Sequence, residues 1–312
     1  SQYFYDNVMK PLMAKFQFGS MATDNFRCLG WNVEHEDSAI YISQKDYIAA
    51  KLEHLDIDKE GHTSKDFLNP ELTALVRCLI GKSRWGTDQT RPDLAFENLL
   101  LSMASHKPTY GDVTLLNKVV TRFKEQEIKL KYSKLEGDKW HITVFADASK
   151  GNLGNKVKST VAYLIFLSDG YQINKKKKCN ILAWQSKKAR RVCVSTYDAE
   201  AMALNIGIQA GIVMKQHLKE IMNWGDPMIK VEAFTDCMDV YNAVAVKNKP
   251  NTAQQKGDQL SSLDVAAVRK YLQEDMLDDI QWVNTELQLC DTLTKMGKAP
   301  TNLIRAITEG VF

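Results

Sequence analysis

The sequence predicts an α/β protein: a mixed five-stranded sheet with flanking helices, preceded by a mainly α-helical region that contains a β-hairpin. Three observations predict it. In Lys139–Ser149, Ile142, Val144 and Ala146 alternate with Thr143, Phe145 and Asp147, the period-2 pattern of a central strand ending on an acid. Between Pro70 and Lys124, apolar residues return at helical spacing instead. After residue 140, early strands, a long helix, a strand, further helices and a late strand follow one another, an order that builds a mixed sheet.

Taken in order, Val8, Leu12 and Phe16, at steps of four, predict a short helix. Phe26–Val33 and Ala39–Ser43 read as the two arms of a β-hairpin, turned by the polar stretch His35–Ser38. Tyr47, Ile48, Ala50 and Leu52 begin a helix that ends before Asp56, and a polar loop covers 57–69. The next helix starts at Pro70, which fits a first turn because its missing N–H has no partner there, and runs to about Trp85. A second follows Arg91-Pro92-Asp93 to Ala104. A third runs from Asp112 to about Lys124, with Val113, Leu116, Val119, Val120 and Phe123 on one face. These elements make up a first region, 1–126. Residues 127–140, with Gly137 and the alternating Ile128, Leu130 and Tyr132, read as a linker to a sheet-bearing domain, 141–312. In that domain, strands at 160–167, 180–184, 229–234 and 280–283 join the one ending at Asp147. Helices cover Ser195 to about Asn223, 236–246 and 261–274, and Met276-Leu277-Asp278-Asp279 reads as a plain polar turn.

The bulk composition, 44% hydrophobic and 25% charged over 312 residues, is that of an ordinary globular protein with room for two cores. A formal charge of +3 is too small to argue for nucleic acid by itself. The six cysteines form no C-x-x-C pair and read as free thiols in a reducing compartment. No apolar run nears the roughly 18 residues of a membrane span, so no membrane partner is expected. No signal peptide opens the chain, and an initial Ser in place of Met reads as a trimmed or processed piece of a longer polypeptide.

Four acids fall at the ends of elements. Asp147 closes the first strand of the sheet, and Glu200 sits in the first turns of the long helix. Asp236 lies where the fourth strand meets a helix, and Asp291 is near the start of the last helix. A carboxylate at the end of a buried strand needs a proton, an Arg or a metal, and the first basic residue beside Asp147 is Lys150. If the acids converge, like charges about 4 Å apart cost on the order of 4 kcal/mol at an effective dielectric near 20. Divalent cations remove that cost, and Mg²⁺ favours carboxylates and water. Two such ions about 3.5–4 Å apart can activate a water and stabilise the leaving oxygen of a phosphodiester. Taken singly, each acid reads more readily as a helix cap or dipole partner. That reading explains the set of four poorly.

Several motifs in sequence order carry a resemblance: Phe-Arg-Cys-Leu-Gly-Trp (26–31), Leu-Val-Arg-Cys-Leu-Ile-Gly-Lys-Ser-Arg-Trp (75–85) and Thr-Arg-Pro-Asp-Leu-Ala-Phe (90–96). Asp-Ala-Ser (147–149), Leu-Ala-Trp-Gln-Ser-Lys-Lys (182–188), Ser-Thr-Tyr-Asp-Ala-Glu (195–200) and Thr-Asp (235–236) continue it, and Val-Asn-Thr-Glu-Leu-Gln-Leu-Cys-Asp-Thr-Leu-Thr-Lys (283–295) closes it. Together they resemble the C-terminal part of the Pol polyprotein of copia-type LTR retrotransposons, over nearly the whole chain. The resemblance implies that the second half is an RNase H-like domain, which cleaves the RNA strand of an RNA–DNA hybrid with two Mg²⁺ ions, Mn²⁺ being a substitute. Asp147, Glu200, Asp236 and Asp291 would be its catalytic and metal-ligating set. It also implies that 1–126 is the thumb and connection end of a reverse transcriptase. The partner would be the upstream polymerase region or a second Pol subunit, in a cytoplasmic virus-like particle, the nucleus, or both.

Departures from the family qualify this. The polymerase Tyr-x-Asp-Asp does not occur in the chain, so polymerisation by it alone is not expected. Cys237 and Cys290 flank two of the acids where the family commonly has small or hydroxyl residues; they read as buried thiols or, less simply, as zinc ligands. No His follows His217, so proton transfer near the last acid falls to water or another group.

For the substrate, Lys187, Lys188, Arg190 and Arg191, between the third strand and the long helix, would neutralise hybrid phosphates without reading sequence. Ser149, in the Asp-Ala-Ser motif, is grouped with them. Lys175–Lys178 in a hairpin turn, and Lys118, Arg122 and Lys124 on the third helix, are further basic stretches. Each also reads as a solvated basic face. A near-A-form hybrid would be selected by shape and 2′-OH contacts. Trp184 reads as core rather than as a stacking platform. The rival function is a domesticated or dissociated Pol fragment, a non-catalytic nucleic-acid-binding or structural subunit of a larger assembly.

Overall fold

The structure is a computed structural model and describes residues 3, 5–17, 24–137, 139–153, 158–172, 175–222, 229–245 and 259–312. Near the start, a π-helical turn, Tyr5–Met9, runs into α1 (Lys10–Lys15). Where a two-stranded hairpin was expected there are three antiparallel strands, β1 (Phe26–Cys28), β2 (Trp31–Glu36) and β3 (Ala39–Ser43). Leu29 at φ 51° and Gly30 at φ 84° take left-handed backbone and fold β1 back onto β2. The stretch expected to be a linker supplies a fourth strand, β4 (Leu130–Ser133), which pairs with β3 with Leu130 opposite Ile42. The alternation of Ile128, Leu130 and Tyr132 was therefore a strand signal; Ile128 and Leu130 enter the core.

After α2 (Lys45–Lys51) comes α3 (Pro70–Thr90), begun by Asn69, whose side chain accepts from Leu72 N at 2.8 Å. It does not stop at Trp85, because the polar turn beyond is satisfied internally. Ser83 Oγ donates to Asn98 Oδ1 at 2.7 Å, and Asn98 Nδ2 donates to Thr87 Oγ1 at 2.6 Å. A 3-10 turn (Pro92–Leu94) leads into α4 (Ala95–Ala104), and α5 (Tyr110–Glu125) starts in a Thr109/Asp112 capping box. These helices share a core of Leu79, Leu94, Leu101, Leu116 and Phe123. Arg91, 1% exposed, ties them together by pairing with Asp93 at 2.8 Å, while Arg122 bridges Asp93 and Glu97.

The larger sheet has the order β7-β6-β5-β8-β9, formed by β5 (Trp140–Leu153), β6 (Lys158–Ser168), β7 (Cys179–Lys188), β8 (Ile229–Thr235) and β9 (Asp279–Trp282). β6 pairs antiparallel with β5 on one side and β7 on the other, while β8 and β9 join in parallel, so the predicted mixed five-stranded sheet is present. One face carries α6 (Thr196–Met222), α7 (Met238–Val244) and α8 (Gln259–Gln273), packed on Ile142, Val144 and Ala146. Gly211 lets α6 approach, since a Cβ there would lie 2.6 Å from Val144 Cγ2. The other face buries Phe145, Phe166 and Phe234 under α9 (Thr301–Glu309). Ala95, Ile128 and Leu130 join that same core, and Trp184 Nε1 donates to Thr87 O at 3.1 Å across the two halves of the chain.

Three expectations about position need correction. β5 does not end at Asp147: its antiparallel ladder with β6 continues to Leu153↔Lys158, although its parallel ladder with β8 ends at Phe145↔Phe234. Asp147 thus lies just beyond the end of the parallel pair. β7 extends to Lys188, so Lys187 and Lys188 are on the strand and not in the connection after it. Asp291 belongs to a separate 3-10 turn, Leu289–Leu293, because Leu289, Cys290 and Leu293 sink into the core; the last helix starts only at Thr301. The polar turn expected over 276–279 is only partly one: Leu277 is buried in the core and Asp279 already belongs to β9, while Asp278 Oδ2 accepts from Val231 N at 2.8 Å.

Candidate metal centre

Asp147 from within β5, Glu200 from the start of α6 and Asp236 just after β8 come together, each offering a carboxylate oxygen, with these oxygens within 4.8 Å of one another. Local sequence explains why these acids face the centre and are not spent on caps. At the start of α6, Asp198 does the capping: it accepts from Ser195 N at 2.8 Å, and Ser195 Oγ accepts from Asp198 N at 3.1 Å. Glu200 is left over, 6% exposed, with a buried Oε2 that has no hydrogen-bond partner. Asp236 does not cap α7 either; its Oδ2 accepts from Thr285 Oγ1 at 2.8 Å, and its main-chain O accepts from Trp282 Nε1 at 2.9 Å.

Asp291 is near but not within this group of three. Lys295 pairs with its Oδ1, and Lys298 Nζ is 2.7 Å from its Oδ2. The segment carrying it is fastened to the sheet. Gln288 Nε2 donates to Ala146 O at 3.0 Å, Ser186 Oγ to Leu293 O at 2.6 Å, and Asn152 Nδ2 to Thr294 O at 2.6 Å. Thr294 Oγ1 donates to Asp147 Oδ2. Thr285, Thr294, Lys295 and Lys298 are site residues that sequence reasoning missed. The i,i+4 spacing of Asp291 and Lys295 was the available signal.

Electrostatics follow from burial and crowding. Burial, offset in part by Lys295 and the Thr294 hydrogen bond, pushes the Asp147 carboxyl up to about 7. Glu200 is raised well above the usual range, by burial first and then by the charges of Asp147 and Asp236. At Asp291 burial acts upward too, but the hydrogen bonds from Lys295 and Lys298 outweigh it and hold the carboxyl low. For Lys295, burial works against the charge, yet Asp147, Asp291 and Asp236 keep the ammonium above its ordinary value. Hard oxygen donors, an orphaned buried carboxylate oxygen and two acids driven toward protonation fit a divalent cation. Burial keeps the flanking sulfurs as thiols: Cys237, half-buried, rises to about 11 and the buried Cys290 is raised well above its ordinary value, a poor start for zinc ligands.

The basic residues divide. Arg191 is held by Asp264 at 2.7 Å, and Arg122 by Asp93 and Glu97, so both are built into the fold. Lys178 pairs with Glu136 at 2.7 Å. Among the described residues no ion pair engages Lys187, Lys188 or Arg190. Lys187 lines a cleft of about 260 Å³ between the helical region and β7, together with Arg84 and the half-buried Trp184. Ser149 is on β5, paired with Thr160, two residues beyond Asp147. Lys150, the nearest basic residue in sequence, turns away to Val194 O. Among the described residues no helix is long and apolar enough to cross a membrane.

No family model matches the chain. Over 128 residues it is 26% identical to an uncharacterised mitochondrial protein of Arabidopsis thaliana, covering 41% of this chain and 48% of that protein. Among solved structures, a foamy viral protease-reverse transcriptase in complex with dsDNA aligns with 84% of this chain and 45% of its own, at 13% identity and a TM-score of 0.21. A similarity at that TM-score carries no argument about fold. The chain spans about half the length of each of these two proteins.

Proposed function

We propose that this chain is a ribonuclease H that cuts the RNA strand of RNA–DNA hybrids with divalent cations, as the C-terminal part of a copia-type Pol reverse transcriptase. The observation that carries the reading is the buried Asp147–Glu200–Asp236 group, with its orphaned Glu200 oxygen, where β5 and β8 part in a sheet of three antiparallel and two parallel strands. In this reading 141–312 is the RNase H-like domain and 1–126 the thumb and connection. β4 ties the segment between them to the first sheet.

Asp147, Glu200 and Asp236 would hold Mg²⁺, or Mn²⁺ in its place. Bound there, the cation supplies Lewis-acid activation of a water and of the scissile phosphodiester. The chain's own residues position these groups. Thr294 fixes the orientation of Asp147, and Thr285 that of Asp236. Lys187, Lys188 and Arg190, with Ser149 at the edge of the centre, face the hybrid backbone, where cations neutralise phosphates irrespective of sequence. Cleavage of a labelled RNA–DNA hybrid in Mg²⁺ tests the reading, with Asp147→Asn and Glu200→Gln beside the wild type. The expected result is cutting by the wild type and none by either variant. A folded wild type that binds hybrid without cutting it would refute the enzyme and leave a non-catalytic subunit of a larger assembly.

A further inference from the structure

Resting on the proposed hybrid substrate but not on its cleavage, we propose that the cleft between β7 and the helices α3 and α4 seats one unpaired nucleotide of a single-stranded tail adjoining the hybrid. The cleft encloses about 260 Å³. Ligand pockets run from roughly 300 Å³ upward, so it suits one small group and not a duplex or a folded partner. Trp184 on β7, with Ala95 and Leu99 on α4, supplies apolar surface. The indole is fixed in place, because its Nε1 donates to Thr87 O at 3.1 Å. Asn98 in the wall is likewise spent, accepting from the Ser83 hydroxyl and donating to Thr87 Oγ1 and Leu94 O. The cleft is therefore built before any ligand arrives.

Apolar surface with polar groups at its margin fits a nucleobase, whose faces stack and whose edge needs hydrogen bonds. β7 is the outer strand of its sheet, so along 184–187 its backbone lines the cleft with no further strand beside it to take the outward N–H and C=O groups. For the phosphate, each side of the cleft brings one cation, Lys187 from β7 and Arg84 from α3. Burial, and then the charge of Arg190, hold the Lys187 ammonium below its ordinary value, and an anion beside it would relieve both. Arg84 is held by Asp88 at 3.3 Å with both side chains more than half exposed, a pair weak enough to yield to a phosphate. A base inside a duplex has its edge paired and its faces stacked, so only an unpaired nucleotide can enter.

The test measures binding of the full chain in EDTA to a blunt RNA–DNA hybrid and to the same hybrid with a short single-stranded DNA tail, carrying 2-aminopurine at successive tail positions. The wild type should prefer the tailed hybrid by about tenfold, in line with the stacking of one base on an aromatic side chain, and should quench the probe most at one position. Leu99→Trp and Ser102→Trp, which fill the cleft, should each abolish the preference while leaving the affinity for the blunt hybrid; Arg84→Gln should reduce it. Thermal melting identifies which variants are folded. Equal affinity of the wild type for the two hybrids, or a preference that survives in a folded filling variant, overturns the cleft and leaves the nuclease reading standing. Adenosine monophosphate bound without any preference for the tail overturns it too, since the cleft would then serve a free nucleotide. No binding to either hybrid overturns both readings.

Discussion

Asp147→Asn should stabilise the ion-free protein at neutral and alkaline pH. Burial raises the Asp147 carboxyl to about 7 from an ordinary value of 3.8. A raised acid keeps its proton in the folded chain while the unfolded chain releases it. Stability of the ion-free protein therefore falls as pH rises from about 4 to about 7 and is flat for this group above that. The gap, at about 1.4 kcal/mol per pH unit, amounts to about 4 kcal/mol. Asn keeps the size of Asp and an oxygen to accept from Thr294, but cannot ionise. In EDTA at pH 8 the variant should be more stable than the wild type by about 4 kcal/mol, shrinking to about 0.5 kcal/mol at pH 4. Mg²⁺ at 100 times its dissociation constant should narrow the difference at pH 8, since it returns about 2.7 kcal/mol to the wild type only. Urea denaturation followed by tryptophan fluorescence, at both pH values with EDTA or Mg²⁺, measures all of this. A variant less stable than the wild type in EDTA at pH 8, or a difference indifferent to pH, would refute the reasoning.

Other perturbations separate support from chemistry. Lys187→Gln, Lys188→Gln and Arg190→Gln should each weaken hybrid binding at all sequences and reduce the salt dependence of log K by about 1, read from binding isotherms across a salt series. Arg191→Gln should leave that slope unchanged and instead lower the urea midpoint, because it uncouples Asp264. Arg91→Met removes one of the two partners of a buried Asp93 and should cost about 3–5 kcal/mol in urea denaturation. Gly211→Ala forces a methyl against Val144 and should cost about 1–3 kcal/mol, with α6 displaced enough to weaken Mn²⁺ binding at Glu200.

Local pattern was enough for most of the elements. The alternation around Val144 marked the central strand, and the helical spacing through Val119 and Phe123 marked α5. The same kind of pattern at Leu130 was present but was taken for a linker, since only its pairing with β3 shows it to be a strand. The end of α3 was missed because Ser83 and Thr87 look like a polar stop until Asn98, on another helix, accepts and donates their hydrogen bonds. Asp147, Glu200 and Asp236 were legible as acids at element ends, yet so was a capping role for each. The hydrogen bonds of Ser195 with Asp198 removed that alternative for Glu200. No basic residue stands beside Asp147 in sequence before Lys150; the ammonium that offsets its burial is that of Lys295, brought in by Thr294 and the 3-10 turn at the far end of the chain. Periodicity and motif order are properties of neighbouring residues, so the sequence by itself determined the elements and the residue types of the centre. Which charges face one another depends on distances set by packing, and only the tertiary structure decided that.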